Sequence, residues 1–302
     1  LPTYIFTEAL STTGLGHIGR CTALAEKLLE VGNRKIQIIL HSDKTSAKWV
    51  YPCSVIETNW KDVSTLSNLL KEFGSNKEET ETIFFIDSYL ANLEIYQILR
   101  EHCDEMICID DDNRLEYPVG STILNPGYPG LFIIYDSTKY KVITGKDQVL
   151  LRKPFREKFT IPRRNYPPKK VLIVLGGADL NLFSEMFLEL LVEKFSKLEK
   201  HLVIGVGFTN QDNLRKIADS KTVFYENLSA VEMRDLMLKV DFAITAGGQT
   251  TYELDACGVP FVVIQTAENQ AGNIRGFVEL QGVREIKKPS EVINVIQSFN
   301  SI

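Results

Sequence analysis

The sequence has no CxxC pair, and its cysteines at 21, 53, 103, 108 and 257 are odd in number and sit mostly in apolar surroundings. Neither a zinc ribbon nor a disulfide framework organises such a chain, and the thiols read as buried groups of a reducing compartment. No apolar run reaches the roughly 18–20 residues that a membrane-spanning helix needs, and the first residues lack the charged-then-apolar pattern of a secretory signal. A cytoplasmic protein with no stable membrane insertion is expected. Positive charge is also scarce: 34 Lys and Arg against 39 Asp and Glu leave a net −5. Nucleic acids and anionic membranes select dense basic patches, so neither is an expected partner, and an anionic ligand has to be held locally. There is no HxxxH or HExxH pattern, and the acidic run Asp110-Asp111-Asp112 is weak support for a cation site, so neither metal nor cofactor is expected.

What is present is a long alternation of short apolar runs with helical periods. A chain of 302 residues, 44% hydrophobic and 24% charged, favours two domains of about 150 residues each. Tyr4–Phe6 reads as a strand, and after a glycine loop the apolar positions Ile18, Cys21, Leu24, Ala25, Leu28 and Leu29 recur at helical spacing. The run Ile36–Leu40 suits a parallel strand buried on both faces. The pattern goes on through strands at Thr82–Ile86, Met106–Ile109 and Thr122–Leu124, with helices at Ser64–Phe73 and Leu93–Glu101 between them. Prolines and basic residues interrupt it over 151–169, which reads as a linker. From Lys170 the alternation restarts, with strands at Lys170–Leu175, Leu202–Val206, Val223–Tyr225, Phe242–Thr245 and Phe261–Ile264. The predicted organisation is therefore an α/β chain of two doubly wound, Rossmann-like domains, 1–150 and 170–302, facing each other across a cleft.

Chemistry is expected where glycines join a strand to a helix. Gly14, Gly16 and Gly19 surround His17 at the first such joint, and an imidazole there is either a solvated bystander or a general acid or base near pH 7. The strand ends at Asp87-Ser88-Tyr89 and Asp110-Asp111 offer either helix caps and turn residues or groups that orient His17, a water or a sugar hydroxyl. Gly247-Gly248-x-Thr250-Thr251 follows a later strand. Glycines admit a diphosphate to the backbone, and the next helix supplies N–H donors and the positive end of its dipole. Without the lysine of GxxxxGK[ST] or the GxGxxG spacing, the ATPase and dinucleotide readings are weak. Glu253, one turn on, either complements that dipole or accepts hydrogen bonds from ribose hydroxyls.

The motifs Gly14-x-Gly16-His17-Ile18-x-Arg20, Asp87-x-Tyr89, Asp110-Asp111, Leu151-Arg152, Gly176-Gly177-x-Asp179, the 246–254 segment and Asn269-Gln270 together resemble the PseG/SpsG family. These are bacterial sugar-biosynthesis proteins that include a UDP-sugar hydrolase of the pseudaminic acid pathway. The resemblance runs over most of the chain and implies the GT-B fold of the glycosyltransferase MurG. It also implies nucleotide held mainly by the C-terminal domain. It implies a hydrolase acting on a nucleotide-sugar without metal, in nonulosonic acid or surface polysaccharide biosynthesis. His17, with Tyr89 and Asp87, would be catalytic, helping water attack the anomeric carbon so that UDP leaves with inversion. Gly14, Gly16, Arg20, Gly177, Asp179, Gly247, Gly248, Thr250, Thr251, Glu253, Asn269 and Gln270 would contact substrate or nucleotide. A GT-B glycosyltransferase with a sugar or lipid acceptor in place of water, and a sugar-nucleotide binding protein without turnover, are the alternatives.

Overall fold

The β-branched run at 36–40 lies inside a parallel sheet, as its two-sided apolarity demands, in the computed structural model of the chain. The structure describes residues 1–10, 12–33, 35–43, 49–75 and 81–299. Ser11, which opens the first glycine loop, falls outside that set. Contacts divide the chain into two units, Leu1–Arg152 and Lys153–Ile302.

In the first unit, β1 (Thr3–Ala9), α1 (Gly16–Glu30), β2 (Ile36–Ser42), β3 (Ser54–Glu57), α2 (Val63–Ser75) and β4 (Ile83–Asp87) come first. They are followed by α3 (Leu93–Arg100), β5 (Glu105–Ile109), β6 (Thr122–Asn125) and β7 (Lys141–Thr144). All seven strands run parallel in the order β3-β2-β1-β4-β5-β6-β7. Neighbouring residues of a strand point to opposite faces. Ile5, Ile38, Phe85, Ile107 and Leu124 pack with Ile18, Cys21 and Leu24 of α1. Phe6, Ile39, Phe84, Ile86, Met106 and Cys108 pack with Leu66, Leu69 and Leu70 of α2 and Ile95, Tyr96 and Leu99 of α3. Helices thus cover both faces, which is the doubly wound arrangement. The strand order reverses between β1 and β4, and ligands of such sheets bind outside the carboxyl ends of the strands at that switch.

In the second unit, α4 (Lys153–Arg156) precedes β8 (Lys170–Val174), α5 (Phe183–Lys194), β9 (Glu199–Ile204), α6 (Gln211–Ile217), β10 (Thr222–Glu226) and α7 (Ala230–Lys239). Then come β11 (Phe242–Ala246), α8 (Thr250–Ala256), β12 (Phe261–Ile264), α9 (Ala271–Gln281), β13 (Arg284–Ile286) and α10 (Glu291–Ser298). Its parallel strands run in the order β10-β9-β8-β11-β12-β13, so the switch lies between β8 and β11. Val171, Ile173, Leu202, Ile244 and Val262 build one core layer with Phe187, Leu188 and Leu191 of α5 and Val292 and Val295 of α10.

From Lys153 onward the stretch read from sequence as a linker falls within the second unit. Arg164 donates to the carbonyls of Met237, Leu238, Val240 and Cys257, which terminates α7 with a cation at its negative end. Asp241 accepts the amides of Asn165, Lys169 and Lys170.

Candidate active site

The carboxyl ends of β1 and β4 hold the first cluster. The chain leaves β1 through a turn in which Gly14 N–H donates to Leu10 O at 2.7 Å, and Gly14 takes φ +72°, a left-handed conformation that glycine adopts without strain. The helix then starts at Gly16, earlier than the periodicity indicates, so His17 belongs to its first turn and not to the loop. Gly16 and Gly19 accordingly do not take positive φ.

His17 is 4% exposed, and its Nδ1 lies 2.7 Å from Asp87 Oδ1 at the end of β4. Burial alone would raise the Asp87 pKa, yet the adjoining Arg20 and His17 hold its carboxyl well below the usual carboxylate range. An ionised carboxylate only accepts, so the proton of the neutral imidazole sits on Nδ1 and the lone pair on Nε2. Among the described residues Nε2 has no hydrogen-bond partner. Arg20, one turn further along α1, donates from Nε to Asp87 Oδ2 at 2.6 Å and from NH2 to Oδ1 at 2.6 Å. Its NH1 donates to both oxygens of Asp111 at 2.8 and 2.7 Å. Burial disfavours the charged guanidinium, but Asp111 and Asp87 outweigh it and keep the Arg20 pKa well above its ordinary value. Tyr89 closes the cluster, with its hydroxyl donating to Asp111 Oδ2 at 2.6 Å. The Tyr89 ring stands edge-on to the His17 ring, with centroids 4.4 Å apart.

Of the strand-end aspartates, Asp87 is therefore the one that meets His17. Asp110 serves the interior, accepting Tyr117 and Tyr135 hydroxyls at 2.8 and 2.6 Å and the Asn113 amide at 2.7 Å.

In the second unit the glycines after β11 have different surroundings. A Cβ on Gly247 would press on Ile274 Cγ1 and lie 2.6 Å from its Cδ1, whereas a Cβ on Gly248 would meet nothing within 4 Å. The Gly247 amide donates to Gln270 Oε1 at 3.2 Å. Thr251 Oγ1 donates to Gly248 O at 2.6 Å, and Asn273 Nδ2 reaches Gly247 O at 2.6 Å and Thr251 Oγ1 at 3.0 Å. Gly247, Thr251, Gln270 and Asn273 thus lock the loop to itself. Gly248 and Thr250 stay partly open to solvent, and Glu253 is 3% exposed in the first turn of α8. Asn269 is exposed in the short turn before α9.

After β8, the Gly177 carbonyl accepts the Gly207 amide at 2.8 Å. Asp179 accepts the amides of Phe183 and Ser184 at 2.9 and 2.7 Å, so its carboxylate faces the first turn of α5. No sequence motif singles out Lys61 or Asn273. A carboxylate near the end of the apolar strand TYIFTEA is the one signal that points to Glu8. Among the described residues no cluster of His, Cys, Asp and Glu is arranged to hold a metal, and no helix is long and apolar enough to cross a membrane.

No protein-family model matches the chain. It is 25% identical over 285 residues to an uncharacterized Methanocaldococcus jannaschii protein, MJ1062, covering 88% of this chain and 56% of that one. It is 22% identical over 287 residues to the spore coat polysaccharide biosynthesis protein SpsG of Bacillus subtilis, covering 91% and 80% respectively. It is 25% identical over 284 residues to a Helicobacter pylori protein named pseudaminic acid cytidylyltransferase and UDP-2,4-diacetamido-2,4,6-trideoxy-beta-L-altropyranose hydrolase, covering 93% of this chain and 47% of that one. The chain thus spans about half the length of two of these relatives. Among solved structures, the spinosyn rhamnosyltransferase SpnG complexed with thymidine diphosphate superposes with a TM-score of 0.65 at 12% identity, over 100% of this chain and 92% of that one. Acinetobacter baumannii MurG does so with a TM-score of 0.59 at 13% identity, over 99% and 90%. The chain has the two-domain, Rossmann-like GT-B fold of these glycosyltransferases and is similar in sequence to SpsG and to the Helicobacter protein.

Proposed function

We propose that this chain is a nucleotide-sugar hydrolase. Water attacks the anomeric carbon of a UDP-linked acetamido-deoxy sugar, the bond from that carbon to the diphosphate oxygen breaks, and UDP leaves with the bonding pair as the configuration inverts. The free sugar serves bacterial nonulosonic acid or surface polysaccharide synthesis. Likeness to SpsG and to the Helicobacter protein supports the substrate class. The observation that carries the reaction is the 2.7 Å bond between His17 Nδ1 and Asp87, which leaves Nε2 as a base at the switch point of the first sheet.

His17 takes a proton from the attacking water at Nε2, and Asp87 stabilises the imidazolium that forms. Asp87 and Asp111 carry two negative charges against one on Arg20. The Gly248–Thr250 segment and the start of α8 receive the diphosphate. Their N–H groups and the helix dipole meet the charge that grows on the leaving group. Glu253 accepts from the ribose hydroxyls.

Incubation with UDP-sugars and detection of free UDP, with and without acceptor sugars or lipids, tests the reading. Hydrolysis predicts release in water alone. Release only with an acceptor makes the protein a transferase, and nucleotide affinity with no release makes it a binding protein.

A further inference from the structure

Glu8 is a carboxylate with no solvent exposure on β1, a strand that is otherwise apolar over Tyr4–Phe6. Its Oε2 accepts from Lys61 Nζ at 2.7 Å and from Ser88 Oγ at 2.6 Å. Its Oε1 accepts from the Tyr89 amide at 3.1 Å. Lys61 is itself mostly shielded from solvent beside the Trp60 ring, which its Nζ approaches to 5.2 Å from the centroid. Desolvating both ions is costly, and an apolar pair would fill the space at least as well.

The turn that Glu8 holds is braced without it. Ser88 Oγ accepts the amides of Leu90 and Ala91, both at 3.0 Å, and Arg114 NH2 donates to the carbonyls of Ser88 and Ala91 at 2.8 and 3.0 Å. What Glu8 adds is the bond to the Tyr89 backbone. Tyr89 is thereby fixed at its amide by Glu8 and at its hydroxyl by Asp111, with its ring edge-on to His17.

We propose that Glu8, with Lys61 as its counterion, is a positioning residue that sets the Tyr89 ring against His17 and so holds the imidazole in its reactive orientation. The inference rests on the hydrolase reading for its kinetic consequence only; the geometric consequence is independent of any reaction. Glu8→Gln keeps the side-chain length but replaces one acceptor by a donor, so Lys61, Ser88 and the Tyr89 amide can no longer all be served.

The test is a double-mutant cycle of Glu8→Gln and Tyr89→Ala, read in two ways. The first is UDP release: each single variant lowers kcat by about 10²-fold, the scale of a misplaced catalytic group, while KM stays within about threefold. The double variant loses no more than either single one. The second is nuclear magnetic resonance of the unliganded protein. The chain has four histidines, and the His17 ring protons are assigned by their loss in His17→Gln. They sit beside the Tyr89 ring, so they shift in Glu8→Gln and in Tyr89→Ala and shift no further in the double variant. Glu8→Leu combined with Lys61→Met, an apolar pair that lacks the acceptor for the Tyr89 amide, carries the same cycle if Glu8→Gln does not fold. If the wild type releases no UDP, the hydrolase reading fails and the resonance cycle still decides the positioning role. Losses that multiply in the double variant, or His17 resonances that stay in place in Glu8→Gln, overturn it.

Discussion

Arg20→Leu removes the cation around which the His17 cluster is assembled. The guanidinium donates to Asp87 at 2.6 Å through Nε and NH2 and to Asp111 at 2.8 and 2.7 Å through NH1. The carboxylates it leaves behind are 1% and 16% exposed. Breaking a buried pair by deleting one partner costs about 3–5 kcal/mol, because the remaining charge has neither water nor counterion. The cost depends on pH. In the wild type the depressed pKa of Asp87 makes its contribution complete above the ordinary carboxylate value of 3.8 and lost only as pH falls further. In the variant burial, which raises the Asp87 pKa, is opposed by His17 and no longer by an arginine, so Asp87 takes up a proton at higher pH than in the wild type. The penalty then shrinks as pH falls from 7 towards 5. Both tryptophans, Trp49 and Trp60, lie in the first unit, so their fluorescence during urea unfolding reports on that unit. A loss of about 3–5 kcal/mol at pH 7 that narrows at pH 5 is expected. A loss below about 1 kcal/mol, as for a solvent-exposed pair, or one that is flat across this range, would refute the account of the cluster.

The two glycines after β11 separate stability from binding. Gly247→Ala forces a Cβ onto Ile274 and should lower the stability of the second unit by about 1–3 kcal/mol, the usual cost of overpacking, measured by calorimetric unfolding. Gly248→Ala meets nothing within 4 Å, so the melting temperature should hold while UDP affinity falls in isothermal titration. Glu253→Ala should weaken UDP binding by about 1–3 kcal/mol, the range for hydrogen bonds to a charged group. Unchanged affinity in titration calorimetry removes Glu253 from the ribose site.

The inner strands of both sheets are legible in the sequence because they are apolar on both faces, as Ile36–Leu40 and Phe261–Ile264 illustrate. The strands not recognised are β3, β7 and β13, and each lies at the edge of its sheet. Their sequences, SVIE, KVIT and REI, carry charge and are partly exposed, which is how edge strands avoid pairing with another chain. At the site, the glycine joints and the strand-end aspartates mark the region. They do not show which aspartate meets His17, because that depends on the strand order that sets β4 beside β1 and sends Asp110 toward Tyr117 and Tyr135. Arg20 reads in sequence as a ligand contact. Its side chain is engaged by Asp87 and Asp111, a pairing across 67 and 91 residues that no local pattern reveals. The loop at 246–251 is similar: Gly247 bonds Gln270 and Thr251 bonds Asn273, pairings across 23 and 22 residues that the glycine motif does not show.

In the proposed reaction His17 draws a proton from a water that attacks the sugar and not the phosphate. Turnover of a UDP-acetamidosugar in ¹⁸O-water, analysed by mass spectrometry of both products, measures this directly. The label is expected on the anomeric oxygen of the released sugar, with none in UDP. His17→Ala should lose turnover by at least the ~10²–10⁴-fold of a general base, with nucleotide affinity within a few fold. Label in UDP, or turnover that survives His17→Ala, contradicts the proposed reaction.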